Sequence, residues 1–266
     1  MKKPFRAVHY YRRNTTGRDF VVGDVHGCFS QLDEALAARG YDPTRDRLFS
    51  VGDLVDRGPE SAQLLDAVRR HRIKAVRGNH EDMIVRWYFR GERIERLLSN
   101  GGGWFVDLAD GSGRARPFGR YMAGMPYAIQ IDTAHGLVGL VHADAPYGHW
   151  TQLVGALENG DHDSLIRKQV LWQRARWIEQ TASEFATMPA SLEPLFGLPA
   201  TRPASVPVDP HRPVQGVAAV IVGHTPVSAP LVRGNVIDID TGAVYGGRLT
   251  VLDLAELPQW LAQDAG

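Results

Sequence analysis

Only one cysteine, Cys28, occurs in the 266 residues, which excludes an intramolecular disulfide and any zinc site built on several thiolates. Cys28 is also poorly placed for thiolate phosphoester chemistry. Cysteine phosphatases hold the phosphoryl oxygens with an arginine near the thiolate, and the position six residues on is Glu34. A small buried hydrophobe is the expected role. Net charge is lacking too: Lys plus Arg and Asp plus Glu stand at 30 each, so the chain has no overall positive field for nucleic acid. No run approaches the ~20 apolar residues of a membrane span. The basic stretch at 1–13 is followed by no apolar segment of signal-peptide length. The expectation is a soluble, cytoplasmic protein with neither nucleic acid nor membrane as partner. No internal repeat goes beyond a β-α alternation.

Three acidic segments stand out against this background: GDVHG at 23–27, GDLVDRG at 52–58 and RGNHED at 77–82. Each follows an apolar run that reads as a buried strand (20–22, 48–51 and 73–76) and precedes a helix-period segment. Leu32, Ala35 and Leu36 make the apolar face of a first helix that Gly40 stops. Pro59 opens a second with Leu64, Leu65 and Val68 facing inward, and Met83, Ile84, Trp87 and Tyr88 stripe a third. The first half is therefore β-α-β-α-β-α, expected to be parallel and right-handed. The second half carries short β-branched runs at 127–131, 137–141, 217–222, 236–239 and 249–254, with helical material around 165–177. Two facing sheets with outer helices accommodate both halves in one large α/β domain spanning 1–266.

In open α/β sheets, the carboxyl ends of strands meet in one crevice. Asp24, His26, Asp53, Asp56, Asn79 and His80 all follow such ends, as do His142 after the 137–141 run and His224 after the 217–222 run. Singly, each aspartate reads as a helix cap and each histidine as a hydrogen-bonded core residue; recurrence at strand ends points instead to a pair of metal ions. Carboxylates, an amide oxygen and imidazoles suit manganese, iron or zinc better than an all-oxygen calcium site. Two divalent ions about 4 Å apart bridge a phosphoryl group and generate hydroxide at neutral pH. Asp53 is the bridging candidate. Arg57 and Arg77 offer bidentate forks for phosphoryl oxygens. Arg174 is a third candidate, with a salt bridge as its alternative and Arg176 as its competitor. His80 is placed to protonate the leaving oxygen, provided that Asp56 holds its ring as an imidazolium.

These segments resemble the phosphoprotein phosphatase branch of the calcineurin-like metallophosphoesterases. GDVHG, GDLVDRG, RGNHED, His142 and the GHT at 223–225 occur in that family's order and spacing. NGGGW at 100–104, VHAD at 141–144, LWQR at 171–174 and DTGAV at 240–244 look like its bacterial and phage lambda-type serine/threonine phosphatases. The likeness covers most of 19–254. It implies a four-layer α/β/β/α metallophosphoesterase sandwich and two metal ions, commonly manganese. The first metal would take Asp24, His26 and Asp53, and the second Asp53, Asn79, His142 and His224. Arg57, Arg77 and Arg174 would hold phosphate, and His80 with Asp56 would protonate the leaving group.

The function expected from this resemblance is removal of phosphate from phosphoserine and phosphothreonine proteins, with phosphotyrosine as a further substrate, by metal-bound hydroxide. One alternative is a symmetrical dinucleoside-tetraphosphate hydrolase, which uses similar GDVHG and GNH segments; the family pattern sets Asp56 against it. The other is a catalytically silent metal-binding module. The departure from the phage enzyme is a proline-rich insertion at about 182–216, with seven of the sixteen prolines at 189–213. It reads as a long extended loop, either a substrate flap or a tolerated insertion.

Overall fold

The computed structural model describes residues 5–161, 163–177 and 209–265. Most of the proline-rich insertion, and with it the flap expectation, lies outside the described residues. The strands in chain order are β1 (Val8–Tyr11), β2 (Asp19–Val22), β3 (Arg47–Ser50), β4 (Lys74–Ala75), β5 (Ala128–Thr133), β6 (Gly136–Leu140), β7 (Ala219–Val222), β8 (Leu231–Arg233), β9 (Val236–Asp238) and β10 (Val251–Asp253). They form two sheets, of order β10-β2-β3-β4 and β1-β5-β6-β7-β9-β8. The β2, β3 and β4 strands are parallel, in register Val21↔Phe49 and Ser50↔Ala75. In the larger sheet β6, β7 and β9 are likewise parallel.

The helices are α1 (Phe29–Ala38), α2 (Leu64–His71), α3 (Asn79–Arg90), α4 (Glu95–Ser99), α5 (Gly103–Leu108), α6 (Ala115–Ala123), α7 (Trp150–Asn159), α8 (Leu165–Trp172) and α9 (Leu257–Leu261). Strand alternation sorts the side chains into layers. Phe20 and Val22 of β2 and Leu48 of β3 pack with Leu32 of α1, Leu64 of α2 and Ile84 of α3. Val21 and Phe49, their neighbours along the strands, point the other way and meet Ile131, Leu140, Ile221 and Ile237 of the second sheet. Val220 and Val222 of β7 face outward onto Trp150 and Leu153 of α7 and Val170 of α8. Three apolar interfaces thus separate four layers, α/β/β/α, as expected.

Some boundaries differ. Residues 73–76 pair only at Lys74 and Ala75. Pro59 does not open the second helix: a 3-10 turn at Ser61–Gln63 intervenes before α2. The β10 strand runs antiparallel to β2, which closes that edge of the small sheet. The excursion α4–α6 and the strands β1 and β8 carry no signal in the sequence reading. Among the described residues, no helix is long and apolar enough to cross a membrane.

The inter-sheet layer is the mechanical link between the halves. Ile131, fully buried there and part of no strand-end motif, tests it. Ile131→Ala should lower the unfolding free energy by about 2–5 kcal/mol, the range for a buried isoleucine truncated to alanine. Denaturant titration checks this, with bound metal unchanged.

Candidate active site

Every strand that supplies a candidate residue does so just past its carboxyl end. Asp24 and His26 follow β2, Asp53, Asp56 and Arg57 follow β3, and Asn79 and His80 open α3 after β4. His142 follows β6, and His224 follows β7. The two sheets present these edges to one another, and the loops interlock through backbone bonds. His26 N–H donates to Asp53 O (2.8 Å), Gly58 N–H to His26 O (3.0 Å) and Gly223 N–H to His142 O (2.8 Å).

Asp53 lies at the centre. Its Oδ1 accepts the His80 backbone N–H at 3.0 Å. Its Oδ2 lies 3.6 Å from His26 Nε2, 3.8 Å from His80 Nε2 and 3.4 Å from His142 Nε2. His142 Nε2 is also 2.7 Å from Asn79 Oδ1. Two trios, His26/Asp53/His80 and Asp53/His142/His224, each hold ligand atoms within 4.8 Å of one another, and all five residues are buried. Asp24 accepts the His224 backbone N–H with both oxygens, at 3.2 and 3.1 Å.

The donor set fits divalent cations on three counts. His26 Nδ1 and His142 Nδ1 donate to the carbonyls of Val55 (2.9 Å) and Val51 (2.8 Å), which fixes both tautomers and turns Nε2 toward Asp53. His224 Nε2 is buried and has no hydrogen-bond partner. Buried negative charge is also uncompensated: burial, with Asp240 and Asp53 nearby, pushes Asp24 well above the usual carboxylate range. Burial likewise lifts Asp240 to about 6. Asp53 resists the same desolvation because the His142 and His80 imidazoles hold it well below that range. A bound cation would stabilise these buried carboxylates together.

Five of the six described non-glycine residues with left-handed backbone belong here: His26 (φ 45°), Asp53 (48°), Asp56 (71°), Arg57 (68°) and His224 (73°). The sixth, Arg72, ends α2. Each such residue costs roughly 1–3 kcal/mol and persists only where its surroundings over-determine it. Glu81 is one cause. Fully buried in the first turn of α3, it accepts N–H groups from Asp53 (3.0 Å), Leu54 (2.7 Å) and Gly78 (2.8 Å). Gly78 is another, because a Cβ there would fall 2.1 Å from Asp53 Oδ1.

A pocket beside the cluster is lined by Asp53, Arg57, Asn79, His80, Asn100, Trp172, Arg174, His224, Pro226 and Tyr245. Arg57 and Arg174 thus face it; the Arg57 Nη1 lies 2.6 Å from His26 Nε2. Arg77 does not line it. Its guanidinium turns back into the fold, donating to Asp82 (3.2 Å), Tyr127 Oη (3.0 Å) and Ala123 O (2.7 Å), so the phosphate contact expected of it has no support in this geometry. Arg176, the competitor of Arg174, is committed to Asp144 and to the Pro210 and Arg212 carbonyls. His80 Nδ1 is 2.8 Å from Asp56 Oδ2. Burial raises Asp56 and, with the Arg57 guanidinium, lowers His80, so this environment alone does not favour the expected imidazolium. Glu81, Asn100, Trp104, Trp172 and Tyr245 went unassigned in the sequence reading, although RGNHED, NGGGW and LWQR contain four of them.

A family description, calcineurin-like phosphoesterase, matches residues 20–228, and the chain belongs to that family. Serine/threonine-protein phosphatase 1 of Salmonella typhimurium is 32% identical over 235 residues, covering 87% of this chain and 89% of that one. A symmetrical bis(5'-nucleosyl)-tetraphosphatase of Methylococcus capsulatus is 29% identical over 266 aligned residues, covering 88% and 91%. The crystal structure of a putative diadenosine tetraphosphatase shares the fold, with a TM-score of 0.55 at 22% identity over 94% of both chains.

Glu81→Ala would leave three buried N–H groups without an acceptor, at about 1–3 kcal/mol each. The variant should melt well below the wild type and purify with less bound metal. Calorimetry and elemental analysis read both; an unchanged melt with full metal would remove Glu81 from the account.

Proposed function

We propose that the chain is a metal-dependent serine/threonine protein phosphatase that also accepts phosphotyrosine, working as one domain spanning 1–266 with an insertion at about 182–216. Asp24, His26 and Asp53 hold one divalent ion; Asp53, Asn79, His142 and His224 hold the other. Manganese is the first choice, with iron and zinc suited to the same donors. Bound there, the two ions supply Lewis acidity at the phosphoryl oxygens and a nucleophile drawn from water at neutral pH.

The side chains do the rest. Arg57 and Arg174 orient the equatorial phosphoryl oxygens and neutralise part of their charge. His80 gives its Nε2 proton to the leaving oxygen. Asp56 holds the opposite side of the ring, and an incoming phosphate dianion supplies the charge that favours the imidazolium. The observation that carries the choice of substrate is that His80, which lines the pocket, has its Nδ1 held 2.8 Å from Asp56 Oδ2. A serine or threonine alkoxide is a poor leaving group and needs a proton. A nucleoside polyphosphate leaves as a stabilised anion and needs it far less. A histidine held in place to donate once phosphate is bound therefore favours phosphoprotein substrates over dinucleotides.

Parallel turnover of a phosphoserine peptide, a phosphotyrosine peptide and diadenosine tetraphosphate in manganese buffer tests this reading. The phosphopeptides should be hydrolysed faster; turnover of the dinucleotide alone would replace the reading with the nucleotidase one. Asp53→Asn should abolish turnover and reduce bound metal, because it removes the charge shared by two cations. His80→Asn should keep the metal and lose roughly 10²- to 10⁴-fold on alkyl phosphates, as expected for a general acid. Steady-state kinetics with elemental analysis separates the two.

A further inference from the structure

The Asp56 carboxylate is fully buried, and its two oxygens are bonded to different parts of the chain. Oδ2 takes His80 Nδ1. Oδ1 takes the indole N–H of Trp104, at 2.7 Å. Trp104 is half-buried, and its N–H is directed at a carboxylate in the interior. The ring is held edge-on by Phe105 (5.5 Å between centroids) and Phe118 (5.7 Å), and the indole therefore has a fixed direction.

A second contact seats the same excursion on the same turn. Gly101 has φ 91°, and a Cβ there would fall 2.6 Å from the Arg57 backbone nitrogen. The α4–α5 connection thus lies directly against the Asp56–Arg57 pair, both of whose residues have left-handed backbone. A carboxylate with one donor has freedom to rotate about its χ2 torsion; one with a donor at each oxygen has its plane set.

We propose that Trp104 is a positioning residue for leaving-group protonation: its indole N–H fixes the Asp56 carboxylate, which in turn fixes the His80 ring that delivers the proton. This rests on the phosphatase reading above. Trp104 is not among the residues that line the pocket and bonds to Asp56, so its effect passes through His80 and falls on the proton-transfer step. Phosphate binding, set by Arg57 and Arg174, stays as it is.

The test compares Trp104→Phe holoenzyme with wild type on a phosphoserine peptide and on 4-nitrophenyl phosphate, whose leaving anion needs no proton. The kcat on the peptide should fall by about 10- to 100-fold, the range for a hydrogen bond to a charged group, with KM and bound metal unchanged. The aryl phosphate should lose less than threefold. Adding Trp104→Phe to His80→Asn should cause no further loss, because residues acting through one step are not additive. Equal losses on both substrates, or a full further loss in the His80→Asn background, would overturn the proposal in favour of a packing role. Should Trp104→Phe fail to fold, 3-benzothienylalanine at position 104 keeps the ring shape and removes only the N–H. It should show the same selective loss, and wild-type kinetics from it would overturn the proposal. Wild-type protein inactive on both esters would sink the phosphatase reading itself, which distinguishes that failure from this one.

Discussion

A single buried carboxylate, that of Asp53, is the constraint around which the two sheets are arranged. Only 1% exposed, it has the His80 amide on one oxygen and three imidazole nitrogens within 3.4–3.8 Å of the other. An unpaired carboxylate at this depth would be strongly disfavoured. Despite its burial, the nearby His142 and His80 rings set its carboxyl below the usual range, and His224 Nε2 in the same cluster has no hydrogen-bond partner. The chemistry proposed for the site follows from that imbalance: a cluster that carries more buried anionic and lone-pair donors than the protein alone satisfies is a cluster built for cations.

Holding such a cluster requires backbone that the residues themselves resist. His26, Asp53, Asp56, Arg57 and His224 adopt left-handed conformations that L-residues avoid. Four features offset this strain: the inter-sheet core of Val21, Phe49, Ile221 and Ile237, the interlocked loop amides, Glu81 and the absent side chain at Gly78. Strain and rigidity are thus two sides of one design, since the ligand atoms are placed by strand ends that cannot drift.

The strand-end polar residues were legible in the sequence through recurrence: singly each reads as a cap or a hydrogen-bonded core residue, and it is their repetition shortly after successive apolar runs that marks a shared site. The layer count was legible in the β-α alternation of the first half and the β-branched runs of the second. Arg77 differs from its neighbours in the motif in a way that only three dimensions show: its guanidinium turns toward Asp82 and Tyr127. Glu81 reads in sequence as an ordinary acidic residue in a helix first turn, and its reach to Asp53 and Leu54 depends on a loop 27 and 28 positions away. Within the excursion α4–α6, α4 and α5 escaped because five and six residues are too few turns to display a period.

The central claim is that Asp53 joins two metal ions. Anomalous diffraction from crystals of the wild-type protein grown with manganese tests it most directly. The account predicts two anomalous peaks, both within coordination distance of Asp53, one also reached by Asp24 and His26 and the other by Asn79, His142 and His224. A single peak, or two peaks of which one is out of reach of Asp53, would contradict it.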